Sequence, residues 1–209
     1  LMGNWEFALS SGTHLKRTVI PDGISAERPI IISGADVGGH PNVPTTIISE
    51  GVAKAAIALL ATGGTKLIVK NIKFIDFNGS SSSCGVSVAD GAKLWTINVH
   101  AENCFYGVSG VHQTSTDVKG GIFINCGRMS DGSGTGAAIR SLQLNNHEIG
   151  TQNAGNNDLS PIFRNCRYGV WAQENSTGHV DWCTFEDCED GVVLRVNSRA
   201  NVDGSSFKR

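Results

Sequence analysis

Short apolar runs separated by polar residues extend along the whole chain. Residues 67–69 (Leu-Ile-Val) and 191–194 (Gly-Val-Val-Leu) are typical of these runs. Turn sequences such as Pro21-Asp22-Gly23 interrupt them. Short apolar runs bounded by Gly, Asn and Pro are typical of β-strands rather than helices. The pattern therefore predicts an all-β chain.

The same pattern places several strands in the first third of the chain. The predicted strands cover residues 5–9, 29–33, 45–49, 56–60 and 67–74. An alternative for residues 53–60 is one or two helical turns that cap the end of the strands. The two interpretations of this segment stay open on the sequence alone.

One short phrase recurs in the second half of the chain and sets its period. It ends in Asn or Asp followed by Cys, and it occurs at residues 101–104, 123–126, 163–166 and 185–188. The steps from Cys104 to Cys126 and from Cys166 to Cys188 are equal, which gives a period of about 22 residues. A repeat of this length suits stacked strands separated by turns. It predicts a single-stranded parallel β-helix with coils of about 22 residues.

Stacked coils would place equivalent side chains about 4.8 Å apart, in columns of Phe, Asn or Asp, Cys and Val. Asn suits a bend because it tolerates a left-handed backbone and its amide can hydrogen-bond to its neighbours. The residue between the Phe and Asn positions is expected to face outward. This gives an outer column of Glu102, Ile124, Arg164 and Glu186.

We interpret residues 1–209 as one domain, with entry coils over residues 1–66 and regular coils over 67–209. The interval from Cys126 to Cys166 is longer than one coil, although it contains no further Cys phrase. Gly-, Asn- and Ser-rich segments near residues 128–135 and 145–159 are the predicted insertions. Both ends of the sequence suggest a segment of a longer protein.

The net charge and the spacing of the cysteines limit which partners and metal sites are expected. The net charge is −2, so no basic surface for nucleic acid is expected. Apolar runs are shorter than the roughly 18–20 residues of a membrane span, so no membrane insertion is expected. Four of the six cysteines recur at one position of the coil, which favours buried reduced thiols over disulfides or a metal site. We expect no metal and no cofactor.

Carboxylates are the candidates for catalysis. Glycoside hydrolysis needs two carboxyl groups at a defined separation, and Glu102 and Glu186 lie in the predicted outer column. Arg164 next to Glu186 is either a substrate clamp or one half of a surface ion pair. In the longer insertion, His147 and Glu148 would supply a base and a carboxylate, with Asn146 contacting the substrate. The alternative is that both residues lie on a loop that is disordered or that contacts another subunit of a trimer.

Aromatic side chains could provide stacking surfaces for sugar rings. The candidates are Tyr106, Tyr168 and Trp171, and Trp95 is also available. Tyr106 and Tyr168 share one position of the coil, two residues after the Cys, where a turn could expose them. Glycan contact and packing between chains are both open for these two tyrosines.

Two parts of the sequence resemble the pectate-lyase-like superfamily. They are the recurring phrase, over roughly residues 67–209, and the segment Arg28-Pro29-Ile30-Ile31-Ile32-Ser33-Gly34-Ala35-Asp36 followed by Thr45-Thr46-Ile47-Ile48. This superfamily has a right-handed parallel β-helix and includes bacteriophage tailspikes and capsule-degrading tail proteins. The resemblance implies binding or cleavage of extended polysaccharides and, for tailspikes, a homotrimer. It covers nearly the whole chain but does not specify a reaction.

The resulting hypothesis is a segment of a phage tailspike or tail fibre that binds, and could depolymerise, a bacterial surface polysaccharide. An enzyme of this type would be a polysaccharide lyase or a glycoside hydrolase. Its expected location is the virion tail, after synthesis in the host cytoplasm, with secretion as the alternative. Two other functions remain open: a non-catalytic attachment shaft, and a cellular polysaccharide lyase or epimerase.

Overall fold

A computed structural model describes residues 5–14, 18–20, 29–36, 38, 42–49, 56–150 and 159–209. These residues form parallel strands in three sheets. None of them belongs to a helix with the length and apolar character that crossing a membrane requires.

The strands alternate regularly between the three sheets. Sheet A contains β1 (Trp5–Ala8), β4 (Ile30–Ser33), β7 (Lys66–Lys70), β10 (Lys93–Ile97), β13 (Ser115–Lys119), β16 (Asn146–Gly150), β19 (Thr177–Asp181) and β22 (Arg199–Asp203). Sheet B contains β2 (Gly12–His14), β5 (Thr46–Ser49), β8 (Ile72–Ile75), β11 (His100–Glu102), β14 (Ile122–Ile124), β17 (Ile162–Arg164), β20 (Thr184–Glu186) and β23 (Ser206–Lys208). Sheet C contains β3 (Thr18–Ile20), β6 (Ile57–Ala61), β9 (Cys84–Ala89), β12 (Tyr106–Val111), β15 (Ala137–Leu142), β18 (Tyr168–Gln173) and β21 (Asp190–Arg195).

Among the described residues, each of the first seven coils contributes one strand to each sheet, the eighth contributes β22 and β23, and each strand pairs with its equivalents in the adjacent coils. Trp95 of β10 pairs with Asp117 of β13, for example, which is one period of the repeat. The fold is thus a right-handed parallel β-helix, as the repeat and the resemblance predicted. Its core lies inside the three sheets, where inward side chains of successive coils stack.

Two expectations about the first coils need correction. Residues 57–61 form the strand β6, so the helical alternative is wrong for these residues, whereas residues 53–55 lie outside the described ones. The expected single strand over residues 67–74 is two strands. Asn71 separates β7 from β8 with a φ of 51°, a left-handed conformation that turns the chain from sheet A into sheet B.

The two insertions are distributed differently from the prediction. Tyr106 pairs with Ala137, whereas a single period would lead to Arg128, so the first insertion lies between β14 and β15. The next coil begins with β16, whose Asn146 pairs with Ser115 at the same spacing. Residues 146–150 are therefore a regular strand, and placing them in an inserted loop was wrong. The second insertion falls between β16 and β17, where residues 151–158 lie outside the described ones.

The predicted side-chain columns are present. Phe163 stacks on Phe123 and on Phe185 with ring centroids 5.2 and 4.8 Å apart. In the Asn column, Asn165 donates an amide hydrogen bond of 2.7 Å to Asn125. All six cysteines are free thiols, five are buried, and burial raises the pKa of Cys84 to about 12. These columns link each coil to its neighbours.

Candidate functional site

The structure distributes the predicted site residues over three outer faces and the core. Glu148 and Asn146 lie on sheet A, and Glu102, Arg164 and Glu186 lie on sheet B. The aromatic candidates Tyr106, Tyr168 and Trp171 lie on sheet C. Side chains on different faces of a β-helix cannot contact the same sugar ring. The predicted residues therefore do not form one site.

His147 points into the core and is not available as a general base. Only 1% of the residue is exposed, and its Nδ1 lies 3.0 Å from the Ser141 hydroxyl. Burial, with a smaller effect from His179, lowers the pKa of His147 to about 4. Adjacent residues of a strand point to opposite sides of the sheet, so His147 and Glu148 cannot act on one substrate. The proposed His147–Glu148 pair was wrong for this reason.

Glu102 and Glu186 belong to ion pairs on sheet B. Lys73 contacts Glu102 at 2.5 Å. Arg164 and Lys208 contact the two oxygens of Glu186 at 2.6 and 3.4 Å. The hydrogen bond from Arg164 is the main reason that the pKa of Glu186 is lowered. Among the two interpretations of Arg164, the geometry corresponds to the surface ion pair.

The sheet C aromatics are covered rather than open. Tyr106 and Tyr168 are 4% and 8% exposed, so neither offers the ring face expected from a position at a turn. The Arg140 guanidinium lies 4.0 Å from the centre of the Tyr106 ring, and burial raises the pKa of this tyrosine. Trp171 is half-buried, with Arg195 at 5.6 Å from its ring. These residues form a packed cluster with cation–π contacts.

The outer face of sheet A has a different character. We call the following register-aligned outward positions of its strands the central column: Ile68, Trp95, Asp117, Glu148, His179 and Asn201. Successive members lie about 4.8 Å apart, because they sit on neighbouring strands. The column runs along the axis of the β-helix and combines an aromatic ring with carboxylates and an imidazole.

Trp95 is an exposed aromatic side chain of this face. Its residue is 54% exposed, and the burial of β10 alternates strictly, with Leu94 and Thr96 buried on either side. A hollow of about 310 Å³ lies beside the indole, between Lys66 and Lys93. Pro29 and Ile68 also line this hollow. The indole thus has an open side with a cavity next to it.

Asp117 and Glu148 share the ammonium group of Lys119. The Lys119 Nζ atom lies 3.3 Å from Asp117 Oδ1 and 2.6 Å from Glu148 Oε1. The two oxygens can therefore be no more than about 6 Å apart. Burial raises the pKa of Asp117, and the negative charge of Glu148 adds to this effect while Lys119 opposes it. The environment of Asp117 thus favours its protonated form.

A further carboxyl group and an imidazole extend the network to β19. His179 follows Glu148 in the central column, and its Nδ1 lies 3.8 Å from Asp181 Oδ2. The side chain of Asp181 is only 7% exposed, and burial raises its pKa. One carboxylate oxygen of Asp181 is buried without a hydrogen-bond partner among the described residues. Polar side chains therefore continue along this face to β19.

Glu148, Asn146 and Trp95 of this face were recognised from the sequence, but no role was predicted for Asp117, Lys119 or His179. One sequence signal could have placed Trp95 and Asp117 side by side on one face, because Asp117 follows Trp95 by one period. The step from Asp117 to Glu148 is longer than one period, because the first insertion intervenes. Residues 145–159 were predicted from the sequence to be an inserted loop. The pairing of Asp117 with Glu148 could therefore not be predicted.

Comparison with known proteins adds no family to these observations. No family model matches the chain, and neither does any curated protein. Within the described ranges, no group of three or more His, Cys, Asp or Glu side chains is arranged to hold a metal ion. The outer face of sheet A is therefore the candidate functional site.

Proposed function

We propose that the protein binds an extended bacterial surface polysaccharide along the outer face of sheet A. The observation that carries this proposal is the exposed indole of Trp95 in one column with Asp117, Glu148 and His179. Sugar-binding sites commonly combine an aromatic platform with a few polar groups that orient the ligand. A polymer lying along the column would contact one polar side chain at each coil.

Affinity electrophoresis in gels that contain capsular or lipopolysaccharide glycans tests this binding. Trp95→Ala removes the aromatic platform, and we expect binding to weaken roughly tenfold. Leu144→Ala is the matched control, because Leu144 is 56% exposed but lies at a turn outside the face. Equal retardation of the wild type and Trp95→Ala by every bound glycan would contradict the proposal.

A second candidate function, depolymerisation of the bound glycan, is favoured by the Asp117–Glu148 pair. Carboxyl groups about 5–5.5 Å apart serve retaining glycosidases, and the limit set by Lys119 is compatible with this separation. The raised pKa of Asp117 suits a general acid, which must be protonated when it acts. Asp117 is the candidate acid, and Glu148 is the candidate nucleophile.

The chemistry of this candidate follows from those roles. Asp117 donates its proton to the glycosidic oxygen as the bond to the anomeric carbon breaks. The Glu148 carboxylate attacks that carbon and forms a glycosyl ester. Water then attacks the same carbon and transfers a proton to Asp117, which releases Glu148 and a sugar of retained configuration.

Release of reducing ends from a bound glycan tests depolymerisation. We expect Glu148→Gln to lower this activity by at least about 10³-fold, because the nucleophile is lost. Glu186→Gln makes the same chemical change in a surface ion pair on sheet B and should retain full activity. Activity should also fall as the pH rises through the pKa of Asp117, because the acid must be protonated. Binding without any release would leave the attachment shaft as the function.

The resemblance to the pectate-lyase-like superfamily, which includes tailspikes, suggests an extension of the proposal to the oligomeric state and location. We propose that the chain belongs to a homotrimeric bacteriophage tail protein located on the virion. Sedimentation velocity should then give the mass of a trimer. A monomer that releases unsaturated products, which absorb in the ultraviolet, would instead favour a cellular lyase or epimerase.

A further inference from the structure

Lys66 and Lys93 form a pair of like charges beside Trp95. They are register partners on β7 and β10, and both side chains line the hollow next to the indole. Within the described part of the chain, no carboxylate lies within ion-pairing distance of either ammonium group. Like charges directly opposite each other destabilise a sheet. A bound anion between them would remove this cost.

The hollow has the size and lining for a small ligand. Its volume of about 310 Å³ is near the lower end of the range for ligand pockets, roughly 300–1,000 Å³. Ile68 and Pro29 provide apolar contacts, and the Trp95 indole provides a flat wall. The combination suits a single sugar ring that carries a negative group at its edge.

On the next three strands of sheet A, carboxyl groups outnumber lysine and arginine side chains. Asp117, Glu148 and Asp181 follow over these coils, and Lys119 is shared by the first two carboxyl groups. A polymer with a negative charge on every residue would bring one of its charges close to the Glu148 carboxylate. A polymer with charged and neutral residues in its repeating unit can place only its charged residue at the lysine pair.

From these observations we propose that the hollow is a specificity site for a uronic acid residue of a heteropolysaccharide with neutral neighbouring sugars. The sugar ring stacks on Trp95, and its carboxylate binds between Lys66 and Lys93. This inference rests on the proposed polysaccharide binding and adds that one sugar of the ligand carries a negative charge. It makes the two lysines the residues that distinguish acidic from neutral glycans.

The test compares native and carboxyl-reduced forms of the same polymers. Hyaluronan and bacterial capsular polysaccharides with one uronate per repeating unit serve as probes, in affinity electrophoresis with the full chain. We expect each bound native polymer to bind more tightly than its reduced form. Lys93→Gln and Lys66→Gln should each weaken binding of the native polymer roughly tenfold and should change binding of the reduced polymer little.

Lys208→Gln is the matched control, because it removes a lysine from sheet B and should change neither affinity. Circular dichroism and thermal unfolding establish that each variant is folded. If native and reduced polymers bind equally, or the lysine variants keep the native preference, the uronate site is overturned and the polysaccharide proposal stands. If no polymer is retained in either form, the proposed function itself is overturned.

Discussion

At the scale of single residues, the side of the sheet to which a side chain points decides whether it can contact a ligand. His147 and Glu148 are neighbours in the sequence, yet the first is a core residue and the second binds Lys119 on the surface. The Nε2 atom of His147 is buried without a hydrogen-bond partner among the described residues. A neutral imidazole tolerates this environment better than an imidazolium, whose burial would cost more free energy.

The acid stability of the protein should therefore depend on His147. Its folded pKa of about 4 lies below the ordinary value of 6.5, so the unfolded state binds its proton more strongly. This stabilising contribution is complete above pH 6.5 and is lost as the pH falls towards 4, at up to about 1.4 kcal/mol per pH unit. Urea unfolding between pH 7 and pH 4 should show a shallower loss of stability for His147→Leu. Parallel curves for the two proteins would contradict this assignment.

At the scale of elements, turns between strands are set by residues in a left-handed conformation. Asn103, Asn125 and Asn165 all have φ between 49° and 53°, at the bend that follows the sheet B strands. Their side chains also form a ladder, in which Asn125 donates to Asn103 at 3.3 Å and accepts from Asn165 at 2.7 Å. The recurring Asn thus has two roles, in the backbone and between coils.

Two substitutions at Asn125 separate these roles. Asn125→Gly loses the ladder hydrogen bonds but keeps an unstrained bend, and we expect a loss of about 1 kcal/mol. Asn125→Ala loses the same bonds and also strains the left-handed backbone, at a further cost of roughly 1 kcal/mol. The free energies of unfolding in urea provide the measurement. Equal losses for the two variants would show that the backbone conformation is not what the position requires.

At the scale of the whole molecule, stability comes from contacts between neighbouring coils. Phe163 is fully buried and stacks on the rings of Phe123 and Phe185 in the two adjacent coils. In a solenoid each coil contacts only the adjacent coils. The loss of one inward side chain therefore weakens the contacts of its coil with both neighbours.

Truncation to Ala should thus have different effects inside the Phe column and at an exposed bend. We expect Phe163→Ala to lower the free energy of unfolding by about 3–5 kcal/mol, and Leu144→Ala, where the residue is 56% exposed, by less than about 1 kcal/mol. Hydrogen exchange should increase most in β14, β17 and β20 for the first variant. A similar destabilisation by both variants would contradict the dependence on position.

The periodic positions were predictable because each coil repeats the same local requirement. A Phe, an Asn and a Cys that recur once per coil indicate their columns directly. The candidate site was only partly predictable. Asp117 and Glu148 are separated by more than one period, and their meeting at Lys119 depends on where the inserted residues leave the coil. The glycine and aromatic positions of the repeat alone did not show at which residue the insertion begins and ends.

The sequence by itself determined the fold class, the coil length and the columns, because these follow from local conformational preferences repeated at one period. Only the tertiary structure decided which face each polar residue occupies and which of them meet. One residue of shift turns a strand side chain from the surface to the core, and the register across an insertion is set by pairing between coils. Trp95, Asp117 and Glu148 became one surface through that pairing.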